Sequence, residues 1–202
     1  MTVLDVLLVA AGYLAGSIPW GVVVVRLFRR EDIRTKGSGN IGATNVWRVY
    51  GRWLGVPVVV LDVAKGCFPA LAGLLLAGDW IGVLAGVAAM LGHARPVFLK
   101  FSRGGKMVAT AGGVAFALAP AAAAVCVVVW IVVFRLFRYA SVSSMVTAGA
   151  LPIVSYAFGA SWPIVGFGVG AAAGVFFLHL PNVKRLFAGT EPRFGRSSGA
   201  AA

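Results

Sequence analysis

Charge is scarce in this sequence. Of 202 residues, 12% are charged and only six are acidic. Soluble domains carry about 25% charged residues, so a surface facing water on every side is excluded. The acidic residues are also too scattered to form a carboxylate cluster. Asp5 and Asp79 are expected near the outer face, Glu31 and Asp32 adjoin in a loop, Asp62 lies within an apolar run, and Glu191 is in the tail. Hard cations need several oxygen ligands together, so no metal site and no cofactor are expected. Cys67 and Cys126 sit in apolar runs without metal-ligand spacing and read as packing residues. Internal repeats, linkers and low-complexity tracts are absent, so residues 1–202 read as one domain.

What the chain has in quantity is hydrophobic surface: 60% of its residues are hydrophobic and its mean hydropathy is +0.92. The apolar runs are about 3–25, 53–77, 80–94, 107–134, 140–158 and 162–180. A transmembrane helix needs roughly 20 residues, so the fold class is all-α, a polytopic membrane protein. The run 107–134 is long for one span and short for two, with Pro120 near its middle. Splitting it there gives seven transmembrane helices and puts seventeen of the eighteen basic residues on one side. By the positive-inside rule that side is cytoplasmic, with the N-terminus outside and the C-terminus inside. Lys65, the eighteenth, lies within a span beside Asp62. Residues 1–15 resemble a signal sequence but have no basic residue before the apolar core, so an uncleaved first span is expected. The net charge of +12 lies in short segments between the runs. It points to anionic headgroups and phosphates rather than nucleic acid.

With this topology the motifs with chemical content are expected on the cytoplasmic face. "GSGNIGATNVWR" (37–48) combines glycines, which let backbone N–H groups approach an anion, with the neutral donors Ser38, Asn40, Thr44 and Asn45 and the planar cation Arg48. The alternative is a glycine-rich turn whose asparagines cap helices. The spacing is not that of a Walker loop. In "GHARPVFLKFSRGGKMVAT" (92–110), Gly104 and Gly105 precede Lys106 at the start of an apolar helix, which is a natural anion site. In "HLPNVKRLFAGTEPRFG" (179–195), His179, Asn182 and Arg185 follow one another at intervals of three and share a helical face. Asp62 and Lys65 also share a face, either as a self-satisfied ion pair or as a polar wall below the active face. Several cations at one membrane surface suit a reaction between two phosphorylated molecules that would otherwise repel each other. A transporter of phosphorylated metabolites would share the spans and cations, but would usually show internal repeats.

Together with "GSIPWG" (16–21) and "DVAKG" (62–66), these motifs closely resemble those of the bacterial acylphosphate-dependent glycerol-3-phosphate acyltransferases, and the likeness covers nearly the whole chain. One departure is Arg103 before the two glycines, where the family more often has Lys. The resemblance implies a seven-span inner-membrane enzyme. It would transfer an acyl group from acyl phosphate to the 1-position of sn-glycerol 3-phosphate, giving lysophosphatidic acid and phosphate. It further implies that Ser38, Arg48 and Lys106 hold substrate phosphate, that Gly37, Asn40, Thr44, Asn45, Gly104 and Gly105 line the site, and that His179 and Asn182 are the polar pair of the last motif. Acyl phosphate, glycerol 3-phosphate and membrane lipid are the expected partners, with no obligate protein partner. Acyltransferases that use a His followed five residues later by Asp are excluded, because Phe98 and Lys184 stand at that offset from His93 and His179. A GxSxG elbow is also absent. Direct attack by the glycerol hydroxyl is therefore expected, with the substrate's own phosphate or His179 taking the proton.

Overall fold

The computed structural model describes residues 1–195, so Arg196, the last tail cation, lies outside the described residues. Nine α-helices and no strand occur among them: α1 (Val3–Gly16), α2 (Trp20–Arg29), α3 (Ala43–Tyr50), α4 (Arg52–Ala77), α5 (Asp79–Ala94), α6 (Val108–Leu118), α7 (Pro120–Phe137), α8 (Ala140–Ala157) and α9 (Trp162–Phe187).

The first apolar run, read as one uninterrupted span, is broken in two. Pro19 has no N–H to continue the helix, and the Ser17 hydroxyl donates to the Tyr13 carbonyl at 2.8 Å where α1 ends. The run 107–134 divides at Pro120 as expected, but unequally. α6 has 11 residues and α7 has 18. At 1.5 Å per residue α6 is only about 17 Å long, well short of a hydrocarbon core of about 30 Å. Six segments are long and apolar enough to cross a membrane: 3–29, 52–77, 79–99, α7, α8 and α9. The expected count of seven therefore differs from these six by α6.

Helices in lipid gain little from hiding apolar surface from one another, so close packing through small residues has to hold them. Gly12 and Gly16 of α1 lie against Ala85 and Ala89 of α5; a Cβ on Gly16 would stand 2.0 Å from the Ala89 carbonyl oxygen. Gly66 of α4 meets the Thr110 carbonyl, and Gly113 of α6 meets that of Val63, which seats α6 along α4.

One end of the bundle is plain. Its turns, at Gly78, Ala119 and Gly159, carry no cation, and Asp79 accepts a hydrogen bond there from Ser161. The other end gathers residues 30–51, 95–107, 138–139 and 188–195. There the Phe194 N–H bonds the Arg138 carbonyl at 2.9 Å, and the Arg48 guanidinium lies 5.0 Å over the Phe194 ring.

Candidate active site

The glycine-rich loop is shaped by its own asparagines. Asn45 is 2% exposed, and its amide reaches three points on the loop backbone. Nδ2 donates to the carbonyls of Lys36 (3.0 Å) and Asn40 (2.9 Å), while Oδ1 accepts from the Ser38 N–H (2.9 Å). Asn40 Oδ1 accepts from Gly42 N–H at 2.8 Å. Gly37 (φ 56°) and Gly39 (φ 70°) supply left-handed conformations that make the loop this tight. Asn45 thus acts as a fastener, whereas the hydroxyls of Ser38 and Thr44 remain exposed. Arg48, one turn beyond Thr44 on α3, falls on the same side.

The second loop is held against the end of α5. Gly104 N–H bonds the Ala94 carbonyl (2.9 Å) and Gly105 N–H bonds that of His93 (3.0 Å). Neither glycine lines the cavity; both are buried beneath it. Lys106 follows directly and donates to Asn182 Oδ1 on α9. Met107 then takes a left-handed conformation (φ 67°), and α6 begins without a side-chain cap.

On α9, His179, Asn182 and Arg185 share a face, as their spacing predicted. His179 Nδ1 lies 2.8 Å from the Val175 carbonyl. A carbonyl can only accept, so Nδ1 carries the proton and Nε2 is left with a lone pair. Glu191 is the hub that sequence reasoning left in the tail. Its carboxylate is 5% exposed and accepts from Ser141 (2.7 Å), Asn182 (2.7 Å) and Arg185 (2.8 Å). Burial alone would raise its pKa, but these three donors outweigh it and hold the carboxyl below its ordinary value. The residues "TE" stand in the closing motif, so a signal existed; nothing in the spacing revealed that Ser141 would meet them from another helix.

Burial, reinforced by Arg185 and opposed by Glu191, lowers Lys106 to about 8. Burial also draws Arg48 down from its ordinary value. Lys106, Arg48 and Arg185 thus all sit half-buried in the cavity lining, and Glu191, paired with Arg185, is the carboxylate beside them. The site is short of negative charge.

These groups crown a cavity of about 530 Å³ lined by Ser38, Asn40, Thr44, Asn45, Arg48, Lys106, His179 and Asn182 at one end. Below them the lining turns apolar: Ala111, Ala115 and Phe116 from α6, Cys126, Val127 and Trp130 from α7, Leu151 from α8, Ala171 and Val175 from α9. α6 is short and lined with small residues, and it leaves the slot open sideways. Trp47, Val59, Phe116 and Val127 are 41%, 37%, 40% and 43% exposed along that flank. Asp62 and Lys65 form an ion pair of 2.8 Å, and Asp62 also lines the cavity.

An anion cradle set over an apolar slot in an all-helical, multi-pass membrane protein defines a membrane enzyme or carrier for a phosphorylated amphiphile. The comparisons with known proteins narrow this. The family Glycerol-3-phosphate acyltransferase matches residues 6–189. A glycerol-3-phosphate acyltransferase of Anaeromyxobacter sp. (strain K) is 46% identical over 94% of this chain and 97% of its own. One of Desulforudis audaxviator (strain MP104C) is 41% identical over 94% and 95%. Two crystal structures of PlsY (YgiH), an integral membrane glycerol 3-phosphate acyltransferase, share the fold. The glycerol 3-phosphate form has a TM-score of 0.90 at 39% identity, covering 95% of this chain and 96% of that one. The lysophosphatidic acid form has a TM-score of 0.88 at 38% identity, covering 95% of each chain. The chain belongs to the glycerol-3-phosphate acyltransferase family.

Proposed function

We propose that this protein acylates glycerol 3-phosphate at its 1-position, using acyl phosphate as donor and giving lysophosphatidic acid and inorganic phosphate. The observation that carries the reading is the cavity's two-part lining, where Lys106, Arg48 and Ser38 share one wall with an apolar slot whose flank is exposed. Lys106 and Arg48 hold the phosphate of glycerol 3-phosphate, with Ser38, Thr44 and Asn182 as neutral donors. The acyl chain lies in the slot between α6, α7, α8 and α9. The 1-hydroxyl oxygen attacks the acyl carbonyl carbon, the carbon–oxygen bond to phosphate breaks, and phosphate leaves with the electron pair. The hydroxyl proton passes to substrate phosphate or to His179 Nε2. The cradle neutralises two anions that repel each other. Holding them in reacting geometry removes roughly 7–11 kcal/mol of barrier.

We further propose that α6 completes a seventh crossing, with the active site at the cytoplasmic face of a bacterial inner membrane. Leu118 lies against Gly82, one turn from the start of α5, so the α6–α7 turn is close to the plain end despite the brevity of α6. That ordering leaves every basic segment on one side. The test is turnover of the purified protein with palmitoyl phosphate and glycerol 3-phosphate beside palmitoyl-CoA. Lysophosphatidate from acyl phosphate, with little or none from acyl-CoA, is expected. Equal rates would overturn the donor assignment. Stable acyl-enzyme formed without glycerol 3-phosphate would overturn direct transfer.

A further inference from the structure

Asp62, Lys65 and His93 form a buried cluster to which the proposed acyl transfer assigns no role, although Asp62 and His93 reach the cavity wall. They are 2%, 6% and 3% exposed. Lys65 Nζ lies 2.8 Å from Asp62 Oδ1 and donates to the Ile18 carbonyl at 2.9 Å. His93 Nδ1 stands 3.7 Å from the same carboxylate oxygen and has no hydrogen-bond partner. An ion pair inside a span is expensive to bury, and well-packed apolar residues commonly hold helices together at least as well. Bundle stability alone does not explain it.

Its contacts do. Ile18 lies in the break between α1 and α2, and α2 presses Gly21 onto the Ile41 carbonyl of the glycine-rich loop, where a Cβ would stand 1.8 Å from the oxygen. The height of α2 therefore sets the height of that loop. On the other side, the His93 ring lies directly against Gly105, where a Cβ would meet Nε2 at 1.9 Å, and the His93 carbonyl receives the Gly105 N–H. Lys106 is the next residue. The only direct link between the two loops is the Asn40 amide to the Gly104 carbonyl, at 3.4 Å the outer limit of a hydrogen bond among the described residues.

We propose that Asp62, Lys65 and His93 are positioning residues that set the two loops in register, so that Ser38 and Lys106 can hold one phosphate between them. The ion pair fixes α4 to the α1–α2 break and thereby the first loop. The histidine ring, 3.7 Å from the same carboxylate, is the platform for the second. The inference rests on the phosphate-cradle reading above.

The experiment is a coupling cycle with Lys106. Two variants avoid leaving a charge unpaired: His93→Ala, which removes the platform, and Asp62→Asn/Lys65→Gln, which removes both charges. Each is expected to keep a melting temperature near wild type in detergent while kcat/KM for glycerol 3-phosphate falls about a hundredfold, the penalty of a misplacement near 1 Å. In a Lys106→Gln background the same substitutions are expected to lose most of that penalty, since interacting residues are not additive. If turnover of Lys106→Gln is too slow to follow, the cycle is read from Kd for inorganic phosphate. That readout also stands if the wild type fails to use acyl phosphate, which separates the two readings. Should either variant unfold, Gly105→Ala, whose Cβ would push the loop and the His93 ring apart while leaving the Asp62–Lys65 pair in place, enters the same cycle. Penalties that multiply undiminished in the Lys106→Gln background, or variants with wild-type kcat/KM, would overturn the proposal.

Discussion

Lys65 and Lys106 are both withdrawn from water, and they differ in what answers their charge. Lys65 has a carboxylate at 2.8 Å and a backbone carbonyl at 2.9 Å. Lys106 has a neutral amide, Asn182, while the one carboxylate close by, Glu191, is already engaged by Arg185, Asn182 and Ser141. The first lysine is satisfied and the second is left with charge to give. A buried cation without an anion is a functional feature, because only a ligand can complete it; a buried cation with one is architecture.

Removing one partner of each tests the contrast. Lys65→Met leaves Asp62 as an uncompensated charge inside the bundle and is expected to lower stability by about 3–5 kcal/mol, read as a fall in melting temperature. Lys106→Ala creates no such orphan. It is expected to fold normally and to lose about 2–5 kcal/mol of transition-state stabilisation, read as kcat/KM for glycerol 3-phosphate. A Lys106→Ala protein that keeps near wild-type activity would erase the distinction.

pH sharpens the comparison further. Lys106 is lowered to about 8, so its charge fades as pH rises through that value. A phosphate monoester is already dianionic above about pH 6, so the loss falls on the protein side. kcat/KM is expected to drop by up to tenfold per pH unit above about 8, a slope of about 1.4 kcal/mol. Stability runs the other way. The folded value lies below that of the unfolded chain, the unfolded state binds more protons between about pH 8 and 10.5, and Lys106 therefore contributes a rise in stability with pH across that window. Paired pH–rate and pH–melting profiles of wild type and Lys106→Gln check both slopes, which the substitution is expected to flatten. The smallest effect is that of Ser38→Ala, which removes one neutral donor and is expected to cost about 0.5–1.5 kcal/mol in kcat/KM.

Much of this was legible in the sequence, because the relevant signals are local. Apolar runs, the break at Pro120, the one-sided cations and the helical spacing of His179, Asn182 and Arg185 each depend on neighbours a few residues away. The break at Ser17–Pro19 was missed because the apolar composition continues through it. The break at Pro120 marked α6 as short, but composition alone does not say whether a helix of 11 residues counts as a crossing. The hub role of Glu191 and the loop-fastening bonds of Asn45 are not legible in the sequence, because their partners become visible only when Ser141, Arg185 and the backbone of residues 36–40 are brought together. Tertiary proximity is the information that one-dimensional pattern lacks.

The sideways opening along Trp47, Val59, Phe116 and Val127 bears on how a product departs. Drawing an acyl chain into water costs about 0.8 kcal/mol for each methylene, so a long-chain product released upward would leave slowly. A slot that already faces the acyl layer offers an exit along an isohydrophobic path. The chain slides into the leaflet while only the headgroup leaves the cradle. Under the proposed function, the departure barrier of an acyl group seated there is expected to depend on how the phosphate is held and to be nearly independent of chain length.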